Sequence, residues 1–188
     1  MLEKIKQIIT ESIKTKEKLL EFSLGIEKTA EAMIIALKNG KKILICGNGG
    51  SAADAQHFAA ELVCRFEKDR KPLPAIALTV NTSNITAIGN DFGFDFVFSK
   101  QVEALGREGD ILVAISTSGN SPNVLKAIEK AKELKIKTVL LSGKAGGKMK
   151  GLCDYELIIP TENTARIQEC HILIIHTWCK LIEDELFK

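Results

Sequence analysis

The sequence of 188 residues predicts an α/β fold with a parallel, doubly wound sheet. Three observations lead there. From residue 42 onward, short apolar runs alternate with segments of helical periodicity. One of these runs, residues 111–115, is apolar throughout, as expected of a strand covered on both faces. Two glycine- and serine-rich turns, at 47–51 and 116–121, each follow such a run. They therefore lie at the carboxyl ends of strands, where sheets of this kind bind ligands.

The elements follow in order. Residues 2–22 carry an interrupted apolar face (Leu2, Ile5, Ile8, Ile9, Ile13, Leu19, Leu20) and predict a helix. Ser23 is placed to cap a second helix that ends at Asn39-Gly40. Neither helix carries a chemical motif. They are expected to form an N-terminal extension over 1–40 that packs on a single domain over 41–188.

In that domain the first strand is expected over 42–46, with a helix over 51–66. A second strand follows at 74–78, then a weak helix at 81–88 and a turn at 89–93. Residues 94–105 read as helical, and 111–115 as the third strand. Ser121 and Pro122 form a strong helix start, as N-cap and first helical residue. Strands at 137–141 and 155–159 flank a glycine–lysine loop over 142–151, and residues 163–186 form a long last helix. That makes five strands in all.

The bulk numbers narrow the function. A net charge of +2, with lysines scattered along the chain, argues against nucleic acid as the main partner. No apolar run reaches the ~18 residues of a membrane span, so no membrane role is expected. The charged N-terminus is not the pattern of a secretory leader. Five dispersed cysteines without a C-x-x-C pair fit a reduced, cytoplasmic setting.

The turn Ser116-Thr117-Ser118-Gly119-Asn120-Ser121 offers four hydroxyls and several N–H groups at a helix start. That suits the three acceptor oxygens of a phosphate. A serine-rich cap without a ligand is the plainer alternative. Gly47-Asn48-Gly49-Gly50-Ser51-Ala52 formally fits a dinucleotide fingerprint, but the second strand runs into Thr79-Val80-Asn81 without the acidic residue a ribose needs. The segment 143–148 resembles a P-loop only in passing. Its spacing is one residue short, and Met149 stands where Ser or Thr belongs.

His57 and Glu61 share one helix face, either as two metal ligands, as a ligand with a general base, or as a plain surface contact. Gln168 and His176 lie about 80° apart around the last helix and so point to a similar side. His176 is flanked by Ile172, Ile174, Ile175 and Trp178, where an imidazole needs a partner. A buried histidine satisfied by a carbonyl is the alternative. Cys170 and His171 read as packing or surface residues.

Together these motifs resemble the sugar isomerase (SIS) fold family, and within it the phosphoheptose isomerases. The resemblance rests on the 46–52 turn, the helix from Asp54 through His57 and Glu61, Gly89-Asn90-Asp91-Phe92-Gly93, the 116–121 turn and Arg166-Ile167-Gln168-Glu169, in that order. It implies isomerisation of sedoheptulose 7-phosphate to a manno-heptose 7-phosphate for surface glycolipids. It also implies substrate contacts at Asn48, Gly49, Gly50, Ser51, Glu61, Asn90, Asp91, Ser116, Thr117, Ser118, Ser121 and Gln168. Glu61 and His176 are implied as the catalytic residues. One zinc per subunit is implied at His57, Glu61, Gln168 and His176, in a homotetramer with sites at subunit interfaces. One departure is Ala165, where many members carry an acidic residue. Ala165 also resembles a non-catalytic SIS relative that binds a replication initiator. Such relatives lack an equivalent of Glu61 or His176, and this chain has both.

Overall fold

All residues 1–188 are described in a computed structural model. Five parallel strands, β1 (Ile43–Gly47), β2 (Ala75–Ala77), β3 (Ile111–Ser116), β4 (Lys137–Gly143) and β5 (Tyr155–Ile159), form one sheet in the order β2-β1-β3-β4-β5. That order reverses between β1 and β3, which are directly paired from Ile43–Ile111 to Gly47–Ile115. The reversal opens a crevice beyond their carboxyl ends. β1 and β3 are buried along their whole length, because helices cover both faces.

On one face lie α2 (Ser23–Lys38), α3 (Gly50–Val63) and α7 (Thr164–Leu186). Their Met33, Phe58, Ile175 and Trp178 share a core with the strand residues Ile43, Ile45 and Val113. The alternate strand residues Leu44, Cys46 and Leu112 point the other way, into a second core. There they meet Val102 of α5 (Ser99–Leu105) and Val124 and Ile128 of α6 (Pro122–Glu133). The sheet is therefore wound on both sides, as expected.

Several boundaries differ from the sequence reading for identifiable reasons. The first helix is α1 (Leu2–Glu17), which tightens into a 3-10 turn over 18–22. The chain stays helical through Phe22 into α2, so Ser23 caps nothing, and its hydroxyl donates to the Leu20 carbonyl. α2 packs on the sheet, with Ala30 and Met33 in the main core. The turn expected at 89–93 is mostly helix. α4 runs Thr82–Phe92, capped by the Asn81 side chain, and stops at Gly93 with φ +90°. No residue of α4 is buried. The helix expected over 94–105 is split into a short 3-10 turn at 94–96 and α5.

Candidate active site

The site grows from the two turns at the crevice. After β1, Gly49 takes φ +55° and opens α3, whose first residues follow directly. Gly50 is dictated by a neighbour: a Cβ there would run into the Gln168 amide of α7. Ser51 is buried in the first turn. After β3, Ser121 is the N-cap of α6 with Pro122 behind it. Its hydroxyl, however, pairs with Ser116 Oγ at 3.0 Å instead of capping a helix N–H. Ser118 Oγ accepts from Asn120 N–H, and the Thr117 hydroxyl has no partner within the chain. The 116–121 turn is braced from behind, since Asn120 Oδ1 accepts from Lys148 N–H and the Gly119 carbonyl accepts from Met149 N–H. The glycine–lysine loop thus packs as a wall behind the 116–121 turn.

The two turns are joined by a residue that no motif flagged. Asn48 and Asn123 exchange side-chain amide hydrogen bonds, both at 2.9 Å, and Asn123 is buried. The Asn48 side chain is thus engaged within the protein, leaving its turn's backbone for a ligand. Asn123 was illegible because an asparagine in the first turn of a helix is ordinary there.

Further along α3 and α7, three chemically active side chains converge. His57 Nε2 lies 3.0 Å from Glu61 Oε1 and 3.1 Å from His176 Nε2. The Glu61 side chain is about a quarter exposed, and that of His57 about half. Two imidazole nitrogens at that distance cannot both present lone pairs, so a proton or a cation has to be shared between them. Asp54, one turn before His57, has a buried, unpartnered Oδ2. Burial pushes its carboxyl up to about 6, with His57 pulling the other way.

Gln168 sits at a different level. Its amide lies against Gly50, seven residues before His57 on α3, which is about 10 Å along the helix. No hydrogen bond joins it to the histidine–glutamate group. Asn90 and Asp91 end α4, exposed, and bond to each other at 2.8 Å. Nothing else in the chain contacts their side chains through a hydrogen bond. The buried histidine satisfied by a carbonyl exists, but it is His171: its Nε2 lies 3.0 Å from the Ser142 carbonyl, and burial holds its pKa down at about 4. His176 is only half-buried, because its face of α7 meets His57 and Phe66 instead of the core.

A SIS-domain family profile matches residues 2–143. A phosphoheptose isomerase of Campylobacter jejuni is 64% identical over 159 residues, 85% of this chain and 86% of that one. The chain belongs to the phosphoheptose isomerases of the SIS family. A relative of the same name from Clostridium acetobutylicum is 55% identical over 182 residues, covering 95% of this chain and 93% of its own. Two solved phosphoheptose isomerases superpose closely. The Neisseria gonorrhoeae structure gives a TM-score of 0.91 at 49% identity, and the Francisella tularensis structure 0.94 at 45%. Each comparison spans 97% of this chain and 98% of the other. As a phosphoheptose isomerase, the chain is an aldose–ketose isomerase.

The donor set can be tested against the zinc that the family resemblance implies. No group of three acidic, histidine or cysteine side chains is spread as a finished metal shell. Yet the N···N and N···O separations of 3.1 and 3.0 Å are close to the ~3.3 Å edge of a tetrahedron of zinc ligands. Two imidazoles and a carboxylate are also ordinary zinc chemistry. These residues fit the ion.

Proposed function

We propose that this chain isomerises sedoheptulose 7-phosphate to D-glycero-D-manno-heptose 7-phosphate in the cytoplasm, on the way to surface heptose. The observation that carries the reading is the meeting of Glu61, His57 and His176 beside two anion-suited turns, in a chain 64% identical to a phosphoheptose isomerase.

The 116–121 turn holds the phosphate through the hydroxyls of Ser116, Thr117, Ser118 and Ser121 and through N–H groups at the start of α6. No lysine or arginine lies within the turn, so dipoles and hydroxyls carry the recognition. Asn48, Gly49, Gly50 and Ser51, with Gln168 above them, line the sugar. Glu61 removes a proton from C1 as the C1=C2 bond forms and the C2 carbonyl oxygen is protonated. The same carboxyl then returns a proton to C2 while the C1 hydroxyl becomes the new carbonyl. His176 carries the oxygen-bound proton between O2 and O1. His57, Glu61 and His176 would hold the zinc, with Gln168, whose amide lies against Gly50, as the fourth ligand the family resemblance implies. The ion would lend Lewis acidity to the two sugar oxygens.

Within one chain the side chains of Asn90 and Asp91 hydrogen-bond only to each other. Their exposure on a helix with no buried residue supports a homotetramer in which α4 is covered by another copy and sites are shared. A coupled assay with sedoheptulose 7-phosphate beside shorter ketose phosphates, before and after chelation, tests the reading. Turnover is expected with the heptulose and is expected to fall on chelation. Equal rates on all substrates would remove the heptose assignment, and full activity after rigorous chelation would remove the metal.

A further inference from the structure

Behind the histidine–glutamate group lies an ion pair that the chemistry does not use. Arg70 Nε donates to Glu183 Oε1 at 2.7 Å, and both side chains are only 1% exposed. The pair is hydrogen-bonded on every side. Glu183 accepts from three successive backbone N–H groups, Phe66 at 2.8 Å, Glu67 at 2.9 Å and Lys68 at 3.0 Å, a nest closed around a carboxylate. Arg70 donates to the carbonyls of Glu61 at 2.7 Å, Leu62 at 2.8 Å and Lys71 at 3.1 Å.

Two of those carbonyls belong to the last turn of α3, where helix carbonyls have no partner within the helix and the helix frays; that of Leu62 also accepts from Leu73 N–H, whereas that of Glu61 is held by Arg70. Glu61 sits in that turn, two residues before the end at Val63. A base on a fraying turn would wander. On the other helix, Glu183 lies seven residues beyond His176, about 10 Å along α7. The loop that wraps Glu183 also carries Phe66, whose ring faces the His176 imidazole with centroids 5.6 Å apart. Apolar residues could join α3 to α7 equally well, since a buried ion pair is often no better than hydrophobic packing for stability. They could not satisfy the Glu61 carbonyl or shape the loop.

We propose that Arg70 and Glu183 are positioning residues: they fix the turn bearing Glu61 against α7 and set Phe66 against His176, so that the two catalytic side chains meet in one geometry. This rests on Glu61 and His176 being the acid–base pair of the proposed function.

Two variants test it. Arg70→Lys keeps the buried charge next to Glu183 but cannot span both α3 carbonyls with one point-like group. Phe66→Leu leaves the ion pair whole and removes the ring beside His176. Each is measured as a cooperatively melting protein for kcat and KM with sedoheptulose 7-phosphate. The ring 15N–1H correlations of His57 and His176 are recorded on metal-free samples. For Arg70→Lys, kcat is expected to fall about 10- to 100-fold with KM within about 2-fold, as for a small misplacement of reacting groups. Phe66→Leu should change kcat in the same sense by less, and the His176 signals should move in both variants. Wild-type kcat and unmoved ring signals in folded variants would overturn the proposal, as would a loss carried by KM alone. If the wild-type protein fails to turn over the heptulose, the proposed function falls and the ring signals of Arg70→Lys, which keeps the Phe66 ring, alone decide the positioning role: movement supports it, and none refutes it.

Discussion

At the scale of single residues, Glu61 and the three histidines divide cleanly by surroundings. Glu61 is reachable from solvent and held beside His57, as a proton carrier to a substrate must be. Replacing it with Gln keeps the size and the hydrogen-bonding oxygen but removes the base. Glu61→Gln should lower kcat by about 10²- to 10⁴-fold, the usual worth of a general base, while calorimetric binding of the sugar phosphate persists. Near-wild-type turnover would put the base elsewhere. His171 is the opposite case, fully buried with its ring nitrogen against the Ser142 carbonyl. Its folded pKa of about 4 lies below the ordinary value of 6.5, so the unfolded chain binds the extra proton between those pH values. The stability it contributes is full above pH 6.5 and is lost as pH falls toward 4, by roughly 3 kcal/mol on simple linkage. Asp54, with its folded pKa raised to about 6, acts in the reverse direction over its own range. The His171 contribution is therefore read by difference. Melting temperature against pH should fall more steeply from 6.5 to 4 in the wild type than in His171→Asn, and parallel curves would show that His171 does not set this dependence.

At the scale of elements, the turn over 116–121 depends on one glycine. Gly119 has φ +65°, and a Cβ there would enter the Gly146 carbonyl of the bracing loop. Gly119→Ala should cost about 1–3 kcal/mol from the backbone conformation alone. If the turn holds the phosphate as proposed, the substitution should also raise KM for the sugar phosphate more than it lowers kcat; an unchanged KM would separate this turn from phosphate binding. The strands and both turns were legible because continuous apolar runs and clusters of glycine and serine have few other uses. Glu61 with His57 was legible through helical spacing. What escaped were features set by partners distant in sequence. The Asn48–Asn123 amide pair, the Arg70–Glu183 ion pair and the depth of His171 each join residues from different elements, and no local pattern encodes them. The end of α4 escaped for a different reason. Gly89-Asn90-Asp91 has turn composition, yet Asn81 caps the helix firmly and Gly93, not Gly89, supplies the positive φ that ends it.

At the scale of the whole molecule, one chain leaves apolar surface that its own packing does not use. Leu2, Ile5, Ile9 and Ile13 fall at helical spacing along α1, each exposed by about half or more, and Leu24, Leu173 and Leu181 are exposed on α2 and α7. A groove of about 520 Å³ bounded by Leu19, Leu20, Leu24, Leu173 and Leu181 lies between α2 and α7. Scattered exposed leucines would be unremarked, but a helical stripe and an apolar groove of this kind mark interaction surfaces. With α4 equally uncovered, the proposed homotetramer accounts for both. Light scattering should then give a mass near that of four chains of 20.6 kDa each. The double substitution Ile5→Lys/Ile9→Lys separates assembly from folding. If α1 ends in solvent, changes at exposed positions there should alter stability by no more than about 0.5 kcal/mol and leave activity alone. If α1 is covered by another copy, two buried lysines on each interface should shift the mass toward smaller species. Activity should fall with the mass if Asn90 and Asp91 reach a neighbour's site from α4. A protein that remains a single chain in both forms, with unchanged turnover, would place the complete site within one subunit and leave the α1 stripe without this role.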